Sequence, residues 1–272
     1  MNSELLVRRF DRQARRTHAG LAACFLGLSL TGLPLLFSEA GWARAMSALF
    51  GGYGVTGRLH RFFGTALILI FAFHVFQVVR RVYARGDLSL LWGPESIVPQ
   101  PKDVLQLAQH MRWFLGLGER PRFDRFTYWQ KFDYWAVFWG MGIIGTSGLM
   151  LWFPSFFAGF LPGWVFNVAF LVHGEEALLA MVFIFTVHFF NENLRPEKFP
   201  MDDVMFTGQL SLEEMKHEHP AEYERHEKAG TLAMLLEPPA PRKKLVRGRA
   251  LGTVGIGTGL IMVALTIFAL LS

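Results

Sequence analysis

Five stretches of this chain stay apolar for the roughly 20 residues that a bilayer crossing needs: about 18–38, 57–79, 133–153, 164–190 and 250–271. Charged or turn-forming residues bound each one, so the pattern predicts five transmembrane helices, numbered one to five. The polar positions between them are unevenly charged. Arg8, Arg9, Arg12, Arg15 and Arg16 precede helix one, and nine Lys or Arg residues from Arg80 to Lys131 fall between helices two and three. Arg195, Lys198 and the cluster from Arg242 to Arg249 follow helix four, whereas FPSFFAGFLPGW, between helices three and four, carries no charge. Cytoplasmic loops retain Lys and Arg, so the N-terminus is expected inside and the C-terminus outside.

The connections have patterns of their own. DVLQLAQHMRWFL, after the Pro-containing WGPESIVPQPKD, spaces its apolar residues as an amphipathic helix lying along a membrane surface would. NENLRPEKFPMDD reads as a Pro-punctuated turn, SLEEMKHEHPAEYERHEK as a charged, solvated helix broken by Pro220, and EPPAPRKK as a linker. The expected organisation is a membrane domain over 1–192, a cytoplasmic segment over 193–249 and a C-terminal span over 250–272, an all-α protein with a four-helix bundle and a fifth helix.

Composition agrees: 52% of the 272 residues are hydrophobic, with 27 Phe and 8 Trp, and the mean hydropathy is +0.29. The net charge of +5 sits in the cytoplasmic loops and calls for no nucleic acid. A basic arm before helix one resembles a secretory signal, but its apolar run is long and more spans follow. The single cysteine, Cys24, excludes a Cys-ligated iron–sulfur cluster and an internal disulfide, and the absence of C-x-x-C-H excludes a covalent c-type haem.

The chemistry-bearing feature is histidine. Four of nine fall in pairs on two predicted helices, His60 with His74 and His173 with His188. Fourteen residues leave the first pair about 40° apart around a helix and about 21 Å apart along it; fifteen leave the second about 60° and 22 Å apart. Helices two and four both run from outside to inside, so His60 meets His173 at an outer level and His74 meets His188 at an inner one. Two facing imidazoles are what a six-coordinate haem iron takes from a protein, and ligation removes the cost of an unpaired imidazole in lipid. Two levels imply two haems b. Arg58 and Arg61, flanking His60, suit the propionates of the outer one. Glu175 and Glu176, close behind His173, suit an ion pair or a proton path.

The stretches RRFDRQARRTHAGLAACFLGLSLTGLPLLF, GRLHRFFG, YWQKFDYWAVFWGMGIIGTSGLMLWFP and LVHGEEALLAMVFIFTVHFF resemble the di-haem cytochrome b (gamma) subunits of membrane-bound formate dehydrogenases, hydrogenases and thiosulfate reductases. The resemblance covers about residues 5–210. The histidine spacing is also similar to that of cytochrome b in bc complexes. The gamma-subunit pattern implies that His60 and His173 hold the outer haem, and that His18 with His188 holds the inner one. Here the chain departs, having His74 as well and a one-residue longer spacing that would turn His188 by about 100° on a regular helix. Both inner pairings stand, His74 with His188 favoured, which would leave His18 for a quinone or a propionate.

The same resemblance implies a quinone site at TYWQKFDYW, with Thr127, Tyr128, Trp129, Gln130, Lys131 and Asp133 as candidates; the substrate would be menaquinone or ubiquinone. It further implies a multi-pass protein of a bacterial or archaeal cytoplasmic membrane. Electrons would pass between that quinone pool and an outer redox partner, such as an iron–sulfur protein, a molybdopterin enzyme, a hydrogenase or a multihaem cytochrome c. The rival expectation is a haem-free membrane anchor or a proton or ion transporter. Gly255 and Gly259 in helix five form a small-residue face suited to close packing on the chain's own bundle or on a partner.

Overall fold

Helix one begins where the Asp11 carboxylate accepts a hydrogen bond from the Ala14 amide at 2.7 Å, a side-chain cap for donors that would otherwise be unsatisfied. In the computed structural model, which describes residues 5–199 and 201–271, five helices are long and apolar enough to cross a membrane: Arg12–Leu36, Tyr53–Arg85, Tyr128–Trp152, Trp164–Leu194 and Arg242–Leu271. They are helices one to five of the sequence pattern, each longer than the apolar run that predicted it because polar turns continue it. Helix three contains a π turn at Met141–Gly145, and helix four contains two, at Ile184–His188 and Phe190–Leu194.

The chain divides into two compact units. One comprises Arg16–His74, Phe138–Asp202 and the chain from Arg249. Its core is Leu33, Met181, Phe185 and Met262, with Phe25, Leu26, Trp42 and Phe189 packed around it. Helices one, four and five meet there. A Cβ added at Gly259 would lie 2.6 Å from Phe185, and one at Gly255 would lie 3.8 Å from Leu26. The small-residue face of helix five therefore packs on the chain's own helices four and one.

The other unit comprises the chain up to Arg15, Val75–Val137 and Asp203–Gly248. It departs from the all-α expectation by holding a small antiparallel sheet. Strand β1 (Leu6–Arg8) lies between β2 (Gln209–Leu210) and β3 (Leu236–Glu237), with Val7 opposite both Leu210 and Leu236. Val7, Val204, Leu210 and Met215 form the core beneath it. Glu237, the first residue of the expected linker, thus ends a paired strand. The segment expected to be a charged helix broken by Pro220 is two helices, Leu212–Glu218 and Pro220–Lys228, but it is not solvated throughout, because Glu218, His219 and Glu222 on it are buried.

Their partners are distant in sequence. Arg9 forms an ion pair with Glu222, Arg125 donates to the same carboxylate at 3.0 Å, and the His219 Nδ1–H donates to the Asp124 carbonyl at 2.7 Å. The His219 Nε2 is then left to accept from Arg9 at 3.2 Å. Burial and the Arg9 guanidinium push His219 down to about 3. Although burial opposes it, Arg9 and Arg125 hold the Glu222 carboxyl below its ordinary range.

The expected surface helix is Pro101–Phe114, started by Pro101 and by the Asp103 carboxylate, which accepts from the Gln100 amide at 2.6 Å. Its burial is inverted relative to a soluble helix. Asp103 and His110 point into the unit, while Val104, Leu105, Met111 and Phe114 are exposed.

Candidate functional site

The His60 and His173 rings face each other in the first unit, with centroids 6.3 Å apart and planes at 83°. Each is held from behind by the neighbouring helix. The Thr31 hydroxyl donates to the Gly27 carbonyl at 2.7 Å, so towards His60 Nδ1, 3.1 Å away, it acts as acceptor. The Leu28 carbonyl accepts from the same imidazole. On the other side the Ser147 hydroxyl donates to the Ile143 carbonyl at 2.7 Å and lies 3.2 Å from His173 Nδ1. The Ile144 carbonyl, which can only accept, is 3.0 Å from that nitrogen. Both imidazoles are therefore held as Nδ1–H tautomers, which leaves each Nε2 lone pair free to bind a metal.

Two glycines let the rings sit this close to the helices. A Cβ on Gly32 would lie 3.0 Å from His60 Cε1, and one on Gly148 would lie 2.9 Å from His173 Cε1. Helices one and three thus repeat one device: a hydroxyl residue followed by glycine, with the imidazole bonded to that hydroxyl and to the carbonyl three residues before it. The signal was present in the sequence as Thr31-Gly32-Leu33 and Ser147-Gly148-Leu149. It was missed because a hydroxyl residue and a glycine in an apolar helix read as ordinary close packing.

The arrangement fits a haem at this level. Two imidazole nitrogens on opposite sides of one metal, with bonds of about 2 Å, leave ring centroids roughly 6 Å apart, in agreement with the 6.3 Å observed. Among the described residues, no group of three or more His, Cys, Asp or Glu is placed to hold a metal ion. Arg58 and Arg61 are exposed beside His60, and the Arg61 guanidinium lies 5.7 Å from the Trp152 ring centroid. Glu175 is exposed, while Glu176 is half-buried and accepts from the Trp139 indole at 3.4 Å.

At the second level His18 and His188 come into each other's neighbourhood. Close contact between Gly20 and Ile70, whose Cδ1 is 2.9 Å from an added Cβ, sets His18's part of helix one against His74's part of helix two. His188 closes the π turn Ile184–His188. A π turn bonds i to i+5 and so takes up one residue more than an α turn. The extra residue in the His173–His188 spacing is absorbed there, and the turn of about 100° expected for a regular helix does not arise.

The stretch 127–135 lies in the other unit. Thr127 and Gln130 cap the start of helix three reciprocally, with the Gln130 amide donating to the Thr127 hydroxyl at 3.3 Å and the Thr127 amide to the Gln130 side chain at 3.2 Å. Lys131 is buried and donates to Asp103 at 2.8 Å. The Tyr128 hydroxyl is 3.0 Å from His110 Nδ1, and Trp129 stacks on the His110 ring at 5.6 Å. Asp133 is half-buried. His110, buried on the surface helix and ringed by Trp113, Phe114, Phe123, Tyr128 and Trp129, was not singled out from sequence.

Among known proteins, no family model matches this chain and no curated protein matches it.

Proposed function

We propose that this chain is a di-haem b membrane subunit of a respiratory complex. It would carry electrons between a redox partner on the outer side and the membrane quinone pool near the cytoplasmic side. The observation that carries this reading is the His60–His173 pair: two rings 6.3 Å apart, each fixed through Nδ1 so that Nε2 is bare. A membrane protein that used these histidines only as packing would have no need to hold both tautomers the same way. The comparisons neither support nor oppose the reading, which stands on this geometry and on the resemblance of the four carrying stretches.

Bound haem would supply one-electron redox chemistry, its potential set by the axial ligands and their surroundings. The chain's residues do the rest. His60 and His173 would hold the outer group, and Arg58 and Arg61 would meet its propionates. His188 would hold the inner group, with His18 as its partner, as the gamma-subunit resemblance implies, and His74 as the alternative. At the quinone, the Tyr128 hydroxyl and His110 offer a hydrogen-bonded pair able to pass a proton, and Trp129 offers a ring face. A quinone carbonyl would have to compete for Thr127, Gln130 and Lys131 with the bonds these already make.

The reading is tested on protein purified in detergent and reduced with dithionite. His60→Ala and His173→Ala should each lower the haem content from two to one per chain and leave the helicity intact. Loss of both haems from a folded variant would contradict the pairing by level. At the inner level, His18→Ala should remove the second haem and His74→Ala should leave it; the reverse would assign His74. A colourless wild-type protein would favour the anchor or transporter instead.

A further inference from the structure

The device that repeats on helices one and three does more than hold two rings in place. The planes of His60 and His173 stand at 83°, and each ring is bonded to a hydroxyl at Nδ1 and to a carbonyl on the same helical ridge. For His60 these are Thr31 Oγ1 at 3.1 Å and the Leu28 carbonyl; for His173 they are Ser147 Oγ at 3.2 Å and the Ile144 carbonyl at 3.0 Å. Each hydroxyl is itself held by donating to the carbonyl four residues back, at 2.7 Å in both cases. Gly32 and Gly148 close the opposite edge, since any Cβ there would meet Cε1. A ring caught between a two-point acceptor and a glycine wall cannot rotate about its metal-binding axis without losing a hydrogen bond or meeting the helix.

We infer that Thr31 and Ser147 are positioning residues of the outer haem, which fix its two axial imidazoles perpendicular to one another and set its potential through the Nδ1–H bonds. The inference rests on the haem reading above. Two physical effects make it measurable. Perpendicular imidazole planes leave two of the iron d orbitals nearly equal in energy, so oxidised low-spin iron gives a single large low-field g feature, whereas rings turned towards coplanarity separate those orbitals and give a rhombic spectrum. An Nδ1–H that donates strongly also makes the imidazole more basic, which favours the more highly charged oxidised iron and lowers the potential.

The experiment uses the full chain purified with its haems, read by electron paramagnetic resonance of the oxidised form and by redox titration. Wild-type protein should show the large low-field feature. Thr31→Val, which keeps the side-chain shape and removes the hydroxyl, and Ser147→Ala should each move that feature towards a rhombic signal and raise one of the two midpoint potentials. The other potential should stay in place, and Thr31→Ser should restore both readouts. If Thr31→Val costs the outer haem, retention of that haem in Thr31→Ser supports the hydroxyl's role, and its loss there too overturns it. Unmoved spectra and potentials in haem-replete Thr31→Val and Ser147→Ala also overturn it. A wild-type protein without haem defeats the proposed function instead, so the two failures are distinguishable.

Discussion

Gly32 and Gly148 show how little room the site leaves at the scale of single residues. Contacts of 3.0 Å and 2.9 Å from an added Cβ to the imidazole are too close to keep, and the ring must move because the backbone behind the glycine is helical. Gly148→Ala should therefore lower the haem content from two to one per chain, with Gly142→Ala, where an added Cβ meets nothing within 4 Å, as the unaffected control. In the other unit, Arg9 and Glu222 are both almost fully buried. Removing one member of such a pair leaves the other charge uncompensated, at a cost of about 3–5 kcal/mol. Arg9→Ala should accordingly cost amide-exchange protection across 209–237, where β2, β3 and the two short helices lie. His60 and His173 could be read from sequence because their spacing on two apolar helices is a strong, local pattern. Arg9 and Glu222 could not, because each looks like a solvated charge until a partner 213 residues away is known.

The five long apolar helices were legible as elements, since hydropathy over about 20 residues is a property of the segment alone. Their interruptions were not. Nothing in IFTVH announces a π turn, yet that turn takes up one residue more than an α turn between His173 and His188. Deleting Thr186 should let the π turn at Ile184–His188 relax to an α turn, and the protein should keep two haems per chain. Inserting one alanine at the same point adds a residue that no further turn absorbs, and the inner haem should be lost. If the deletion loses the haem instead, the fifteen-residue spacing is needed on a regular helix and the π turn plays no part. The helix Pro101–Phe114 was visible through its periodicity; that its polar Asp103 and His110 would face inward depends on Lys131 and Tyr128, contributed by helix three.

At the scale of the whole molecule, the unit that holds the sheet should lose stability in acid. His219 sits at about 3 in the folded state against an ordinary value near 6.5, and Glu222 is also held low. Both folded values lie below the unfolded ones. The unfolded chain therefore binds protons first as the pH falls, and stability is lost from about pH 6.5 downward. Exchange protection over 209–237, corrected for intrinsic rates, should fall between pH 7 and 5, and His219→Gln should flatten that slope. The histidine pair of the other unit carries the functional claim, and counting haem tests it most directly. Full-length protein, purified folded in detergent, should give a b-type spectrum on reduction and two haems per chain. A folded, helical and colourless protein, supplied with haem during expression, would contradict the account.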